Sequence, residues 1–282
     1  MHIGNMACAL LSWLSAKSQG GSWLLRIEDI DRGRSRKEFA DWIMDDLHWL
    51  GLDWDEGPCY QSERSVIYQE YFDKLPVYPC YCTRADLMAA SAPHASDGHH
   101  VYSGRCRPAE GKIIMPTERE PAWRVAVPDR TISFVDGRYG LQTCSLADEW
   151  GDFVVKRANG EFAYQLAVTV DDALMGVTEV VRGVDLLSST APQLYLYEAL
   201  GLKAPKFIHF PLLNNRAGQR LSKRDNSMAM DALRQQYSAP EVIGLLAYLL
   251  GIKESAAPVW PEQLIDGFSI EIIRQIPNDL VI

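Results

Sequence analysis

The chain has 282 residues, 47% of them hydrophobic, which suffices for one elaborated domain or for two to three small ones. Its longest strongly apolar stretch, residues 242–252, is too short to cross a bilayer, and the first residues do not resemble an export signal; the sequence therefore indicates a cytoplasmic protein without a membrane contact. The formal net charge of -9 argues against a generally basic nucleic-acid-binding protein, but basic residues cluster locally at 32–37 and 216–224.

The first part of the chain alternates predicted helices and strands. Apolar residues recur with a helical period over residues 6–17, and the nearly continuous apolar segment 22–27 predicts a strand buried on both faces. Ser35 and Glu38 have the spacing of a capping box that begins a second helix, and residues 67–75 predict a third. This order is typical of an α/β, doubly wound parallel sheet of the Rossmann type.

The middle of the chain changes character. Residues 79–159 contain many prolines, turns and short alternating runs, and predict an inserted α+β subdomain with its own antiparallel sheet. The α/β pattern then resumes, and after a basic loop the chain turns helical. The predicted later elements are strands at 166–170, 179–181 and 207–211 and helices at 190–200 and from Pro240 to Gly251. The predicted units are 1–78 and 160–230 for the two halves of the core, 79–159 for the insertion and 231–282 for the helical segment.

Three cysteines and a tyrosine lie close together at the start of the insertion. Cys80 and Cys82 are separated by one residue, and Cys106 follows Tyr102 by four. Thiolates select zinc in a closed tetrahedral site, and a small subdomain gains stability from such a site. Three thiolates leave the fourth position open, and the residues alone favour a histidine over Tyr102. The candidate histidines are His94, His99 and His100.

Two short motifs far apart in the chain suggest nucleotide chemistry. His2-Ile3-Gly4-Asn5 directly precedes the first predicted helix, and Arg220-Leu221-Ser222-Lys223-Arg224 lies in the second basic cluster. A histidine at a helix start offers hydrogen-bond donors and the positive end of the helix dipole, and a lysine loop closing from the other side adds a cation. Together these groups would stabilise the charge that develops when a carboxylate attacks the α-phosphorus of ATP.

A second set of residues suits an acidic amino-acid substrate. Glu28 follows an apolar strand, where doubly wound sheets place ligand-binding groups, and its carboxylate suits an ammonium group. Tyr164 and Arg182 are predicted at the edges of later strands, and Arg182 can pair with a substrate carboxylate or with Asp171 or Asp172. The two aspartates can hold Mg²⁺, but a solvated turn or a helix start is favoured for them.

With these motifs assembled, the chain resembles class I aminoacyl-tRNA synthetases, and among them the glutamyl-tRNA synthetases, over nearly its whole length. The resemblance rests on His2 to Asn5, Leu25 to Asp31, Ala163 to Ala167, Val181 to Leu186 and Leu221 to Lys223. It implies a bound ATP with Mg²⁺ and an L-glutamate substrate. The implied roles are catalysis for His2 and Lys223, ATP binding for His2, Asn5, Ser222 and Lys223, and glutamate binding for Glu28, Tyr164 and Arg182.

Only 31 residues follow Gly251, so the chain resembles the shortened glutamyl-Q tRNA(Asp) synthetase branch of that family. This resemblance implies a monomer that transfers glutamate to the queuosine base of tRNA(Asp), and it implies a zinc site of Cys80, Cys82, Tyr102 and Cys106. The family begins with a strand before the His2 motif, and this chain starts inside the motif; we expect a start codon placed too late or a truncated sheet. Charging of tRNA(Glu) and a noncatalytic RNA-binding relative are the alternatives.

Overall fold

The structure is a computed structural model, and it describes residues 1–31, 33, 35–83, 85–87, 101–110, 117–214, 230–278, 280 and 281. In this part of the chain, no helix is long and apolar enough to cross a membrane. The helices are α1 Ile3–Ser18, α2 Lys37–Trp49, α3 Ser65–Phe72, α4 Tyr164–Leu174, α5 Thr190–Ala199, α6 Met230–Gln236, α7 Ala239–Leu249 and α8 Ile270–Gln275. The strands are β1 Leu24–Ile27, β2 Glu56–Tyr60, β3 Val77–Cys80, β4 Ala122–Val125, β5 Thr131–Asp136, β6 Gly140–Ser145, β7 Val154–Lys156, β8 Glu179–Gly183, β9 Lys206–Phe210, β10 Leu213–Asn214 and β11 Leu280–Val281.

Two pairs of parallel strands form the α/β part of the molecule. Strand β1 pairs with β2, and β8 pairs with β9. Within the described residues, no backbone ladder joins one pair to the other. Helix α1 packs against β8, where the thiol of Cys8 lies 3.9 Å from the carbonyl oxygen of Val181. The predicted mixed α/β class is therefore confirmed. In parallel sheets of this class, ligands bind at the carboxyl ends of the strands.

The larger hydrophobic core surrounds helix α1. Its inward residues, among them Met6, Leu10 and Leu14, are completely buried, as the helical period of the sequence predicts. Helix α7 packs on the same core through Val242 and Leu246. Burial of these side chains fixes helix α1 relative to the strands. Because His2 directly precedes α1, its position is fixed as well.

The segment between the two parallel pairs forms antiparallel sheets, as predicted. Strand β4 lies between β3 and β7, and β5 and β6 form a separate hairpin. The turn of this hairpin contacts β9, where the N–H of Gly137 donates to the carbonyl of Phe207 over 2.9 Å. A Cβ atom at Gly137 would lie 2.6 Å from Ile208, so the close approach requires glycine. The four predicted unit boundaries remain a prediction.

Two local predictions were wrong. The segment 166–170 is not a strand but the middle of helix α4, and every residue in it is buried. A short apolar run fits a buried helix as well as a buried strand, so periodicity does not distinguish them. Helix α2 begins after Arg36 without a side-chain cap, so Ser35 and Glu38 form no capping box there. Gly51, with φ of 75°, follows the end of this helix, as expected for a residue in the left-handed conformation.

The predicted C-terminal helices are present. Helix α7 begins with a capping box formed by Ser238 and Glu241, with Pro240 in its first turn. Helix α8 contacts the β5–β6 hairpin, because the guanidinium of Arg138 donates to the carbonyl oxygens of Ile273 and Ile276. The hairpin therefore joins the inserted segment to both β9 and the C-terminal helices.

Candidate active site and metal centre

The start of helix α1 presents the first motif next to Met230, the first residue of helix α6. His2 is the N-cap residue, and its Nδ1 accepts the N–H of Gly4 over 3.1 Å. Asn5 is exposed in the first turn. The carbonyl of Met1 accepts the N–H of Met230, the first described residue after position 214, over 2.9 Å. Ser222 and Lys223 lie outside the described residues, so their predicted roles remain predictions.

Glu28, Tyr164 and Arg182 lie near one another. Tyr164 is the first residue of α4 rather than the edge of a strand, and Arg182 lies in β8. The pKa of the Tyr164 phenol is raised, first by burial and then by the negative charge of Glu28, while the charge of Arg182 opposes the rise. The Tyr164 phenol therefore lies within electrostatic range of both Glu28 and Arg182.

The guanidinium of Arg182 is a buried cation with neutral hydrogen-bond partners. It donates to His209 Nε2 over 2.9 Å and to the side chains of Gln193 over 3.0 Å and Thr190 over 2.9 Å. Among the described residues, no carboxylate lies within ion-pair distance of Arg182, so the expected pairing with Asp171 or Asp172 is not formed. Burial lowers its pKa, since desolvation penalises the charged form. Such a cation favours an anionic ligand.

Arg26 links Glu28 to the buried carboxylate of Asp172. Arg26 donates to Asp172 over 2.6 Å with one nitrogen and to Glu28 over 3.1 Å with another. The side chain of Glu28 is 43% exposed, whereas that of Asp172 is 7% exposed. Burial alone would lower the pKa of Arg26, but the nearby carboxylates, led by Asp172, raise it. Arg26 therefore remains charged and holds Glu28 at the edge of the site.

Asp171 and Asp172 lie in the second half of helix α4, and not in a solvated turn or at a helix start. Both are buried within helix α4. The carboxylate of Asp171 accepts hydrogen bonds from Gln61 over 2.8 Å, from Tyr68 over 2.7 Å and from Arg64 over 2.7 Å. These contacts explain why a charged pair is buried here, since a buried carboxylate needs hydrogen-bonding partners. Asp171 joins α4 to the segment that follows β2.

A cavity of about 740 Å³ lies at the carboxyl ends of β1 and β2, next to Glu28. The start of α2 closes one wall through Arg36, Lys37 and Phe39. A cavity of this size accommodates a small-molecule ligand, and its location matches the edge where parallel sheets bind theirs.

The predicted metal ligands form one cluster. The sulfur atoms of Cys80, Cys82 and Cys106 lie within 4.8 Å of one another, and those of Cys82 and Cys106 are 3.6 Å apart. The Tyr102 hydroxyl lies 3.4 Å from the Cys80 sulfur and 3.8 Å from the Cys82 sulfur. Thiolates around one tetrahedral zinc ion lie about 3.8 Å apart, so these four atoms fit a zinc site.

Tyr102 is held at the cluster by other contacts. Its hydroxyl accepts the N–H of Cys106 over 2.6 Å, and the Arg124 guanidinium lies 3.8 Å from its ring centre. Burial alone would raise the pKa of the Cys80 thiol, but its hydrogen bonds with Tyr102, the Cys82 backbone and Arg124 together lower it. The three alternative histidines lie outside the described residues. Among the described residues, Tyr102 is therefore the candidate fourth ligand beside the three thiols.

The comparisons with known proteins decide the family. The family model for "tRNA synthetases class I (E and Q), catalytic domain" matches residues 1–266. The chain belongs to this class I tRNA synthetase family. A "Glutamyl-Q tRNA(Asp) synthetase" of Symbiobacterium thermophilum is 48% identical, over 98% of this synthetase and 91% of the relative. One of the same name from Nitratidesulfovibrio vulgaris is 45% identical over the same shares.

Solved structures give the same fold. A glutamate tRNA ligase from Elizabethkingia meningosepticum, in complex with its amino acid, has a TM-score of 0.81 and 27% identity. The match covers 98% of this class I synthetase and 63% of that chain, so the present chain spans less than two thirds of the ligase. A glutamate-tRNA synthetase from Elizabethkingia anophelis matches with a TM-score of 0.81, 28% identity and coverages of 97% and 64%.

The sequence interpretation missed the residues that hold the predicted site residues of this synthetase in place. Asp172 was considered only as a magnesium ligand, as an ion-pair partner of Arg182 or as part of a solvated turn or helix start, and His209 and Asp136 were not singled out. His209 lies in an apolar strand, and a polar residue in such a strand is the one sequence signal that marks it. Asp136 gives no such signal, because it ends an exposed hairpin strand in which polar and apolar residues alternate.

Proposed function

We propose that this class I synthetase activates L-glutamate with ATP and transfers the glutamyl group to the queuosine base of tRNA(Asp). The observation that carries the proposal is the buried Arg182 near Tyr164 and Glu28, which forms no ion pair with a carboxylate of the described residues. Two relatives that share nearly the full length of the chain are named glutamyl-Q tRNA(Asp) synthetase, which supports the nature of the acceptor.

The proposed roles follow from charge. Arg182 binds a carboxylate of glutamate with its planar donor array, Tyr164 donates or accepts a hydrogen bond, and Glu28 binds the ammonium group. His2 and Asn5 bind ATP at the start of α1, and Ser222 and Lys223 bind it from the second motif. His2 and Lys223 are the proposed catalytic groups, since they stabilise the charge on the α-phosphoryl oxygens.

The proposed reaction has two chemical steps. A carboxylate oxygen of glutamate attacks the α-phosphorus of ATP, the bond to pyrophosphate breaks, and glutamyl-adenylate forms. A hydroxyl of the vicinal diol on the cyclopentene of queuosine next attacks the glutamyl carbonyl and releases AMP. Mg²⁺ would accompany the ATP phosphates and reduce their negative charge.

Zn²⁺ is the proposed structural metal of the inserted segment. Cys80, Cys82, Tyr102 and Cys106 would hold it, and the distances among their ligand atoms support this assignment. A closed set of four ligands stabilises a small subdomain rather than taking part in catalysis. We further propose that the two parallel strand pairs are halves of one doubly wound sheet, and that the enzyme is a cytoplasmic monomer.

The proposal is tested by glutamate-dependent exchange of pyrophosphate into ATP, followed by transfer of labelled glutamate to purified tRNAs. We expect transfer to tRNA(Asp) that carries queuosine and none to tRNA(Asp) without it. The likeness to glutamate tRNA ligases supports a second candidate, charging of tRNA(Glu). Transfer to tRNA(Glu) alone would favour that candidate, and absence of glutamate-dependent exchange would contradict both.

A further inference from the structure

A buried row of three polar side chains leads from the inserted segment to the proposed glutamate site. Asp136 ends strand β5, His209 lies in β9 and Arg182 lies in β8, directly opposite His209 in the strand register. His209 Nδ1 lies 2.6 Å from an oxygen of Asp136, and the Arg182 Nε donates to His209 Nε2 over 2.9 Å. The exposed fractions are 2%, 0% and 7% for Asp136, His209 and Arg182.

The contacts determine the tautomer of His209. An arginine Nε always carries its proton, so His209 Nε2 must accept and the ring proton must lie on Nδ1. That proton is donated to Asp136. The second oxygen of Asp136 accepts the backbone N–H groups of Arg138 over 3.0 Å and Tyr139 over 2.9 Å, which fixes the carboxylate in the hairpin turn.

Hydrogen bonds therefore link the three residues, and the β5–β6 hairpin fixes the position of Asp136. Arg182 has no carboxylate within ion-pair distance in the described part of the chain, so the acceptor nitrogen of His209 is one of the few groups that orient its guanidinium. The ring of Phe207, stacked at 16° on the ring of His209, lies 5.0 Å below the guanidinium. These contacts leave little freedom for the arginine to turn.

We propose that Asp136 and His209 are positioning residues for glutamate: Asp136 selects the His209 tautomer that holds Arg182 in its substrate-binding orientation. This inference rests on the proposed function, because it takes Arg182 as the residue that binds the substrate carboxylate. It also makes the inserted segment part of the amino-acid site, since Asp136 belongs to the hairpin between the two core halves.

The variant Asp136→Asn tests the proposal with an almost unchanged shape. Its oxygen can still accept the two backbone N–H groups, so its amide N–H faces His209 Nδ1 and forces the proton onto Nε2. Two donors then oppose each other at Arg182. We expect the KM for glutamate in the exchange assay to rise roughly tenfold or more, the effect of losing a buried hydrogen bond to a charged group. We expect kcat and the KM for ATP to change less than about twofold.

Asp129→Asn is the matched control, because Asp129 is an exposed aspartate of the same segment and the charge change is identical. An unchanged KM for glutamate in folded Asp136→Asn would overturn the positioning role. Absence of exchange in the unsubstituted chain would be a different result, which overturns the proposed function itself.

A measurement on the unsubstituted chain covers the case in which Asp136→Asn fails to fold. Two-bond proton–nitrogen NMR correlations of the histidine rings distinguish the two neutral tautomers. We expect His209 to carry its proton on Nδ1. A proton on Nε2, or on both nitrogens at neutral pH, would overturn the proposal.

Discussion

At the residue scale, the candidate site combines a buried cation, for which the described residues provide no ion pair, with an exposed carboxylate. Arg182 is buried among neutral hydrogen-bond partners, and Glu28 is exposed but paired with the largely buried Arg26. Burying a cation is unfavourable unless a ligand or hydrogen bonds compensate for the lost hydration. The arrangement is therefore better suited to binding an anion than to stabilising the fold.

Arg182→Lys should weaken glutamate binding while it keeps the positive charge. An ammonium group cannot reproduce the planar array that bonds His209, Gln193 and a carboxylate together. We expect the KM for glutamate to rise at least about tenfold in the exchange assay. Arg130→Lys, at an exposed arginine paired with Glu198, is the control and should have no effect. Equal KM values in the two variants would exclude Arg182 from the glutamate site.

Asp172→Asn should destabilise the fold, because it leaves the largely buried Arg26 without its closest carboxylate. Removing one partner of a buried ion pair costs about 3 kcal/mol. Asp41→Asn breaks the exposed pair with Lys37 and should cost much less, because solvent screens that pair. Denaturant unfolding of both variants measures the difference, and similar losses would show that burial at Asp172 contributes little.

At the element scale, the sequence predicted those elements whose periodicity and end signals agree. Helices α1, α5 and α7 and strands β8 and β9 are confirmed with shifts of a few residues. The apolar run at 166–170 was assigned to a strand because helix α4 is buried on all sides there, which removes the polar face that marks a helix. Sequence order could not predict the Asp136–His209–Arg182 contacts, because they depend on the register of β8 with β9 and on where the β5–β6 turn packs.

Gly137→Ala should loosen the contact between the β5–β6 turn and β9. The added Cβ would lie 2.6 Å from Ile208, so the turn or the strand must move, at a cost of about 1–3 kcal/mol. Gly267→Ala is the control, since no atom lies within 4 Å of its added Cβ. Thermal unfolding measures both effects. A melting temperature for Gly137→Ala equal to that of the control would contradict the close approach.

Cys106→Ser should lose the metal proposed for the inserted segment. Purified protein is expected to contain one zinc ion per chain by elemental analysis, and the variant should contain much less, because it replaces a thiolate ligand with the neutral alcohol of serine. Cys144→Ser is the control. Cys144 is a buried thiol outside the cluster, and burial raises its pKa to about 11. Equal zinc content in both variants, or none in the unsubstituted protein, would contradict the site.

At the scale of the whole molecule, three segments that are distant in sequence meet around the proposed site. The first residues contact Met230 and, through an ion pair of 2.7 Å from the Met1 amino group to Asp46, helix α2. The β5–β6 hairpin contacts β9 on one side and helix α8 on the other. The inserted segment is therefore structurally coupled to the proposed amino-acid site.

The account as a whole is tested most directly by the RNA that accepts the glutamyl group. Labelled glutamate, ATP and the chain would be incubated with tRNA(Asp) that carries queuosine, with tRNA(Asp) that lacks it, and with tRNA(Glu). The account predicts label on the queuosine-bearing tRNA(Asp) alone. Label on tRNA(Glu) alone, or on none of the three despite active glutamate-dependent exchange, would contradict it.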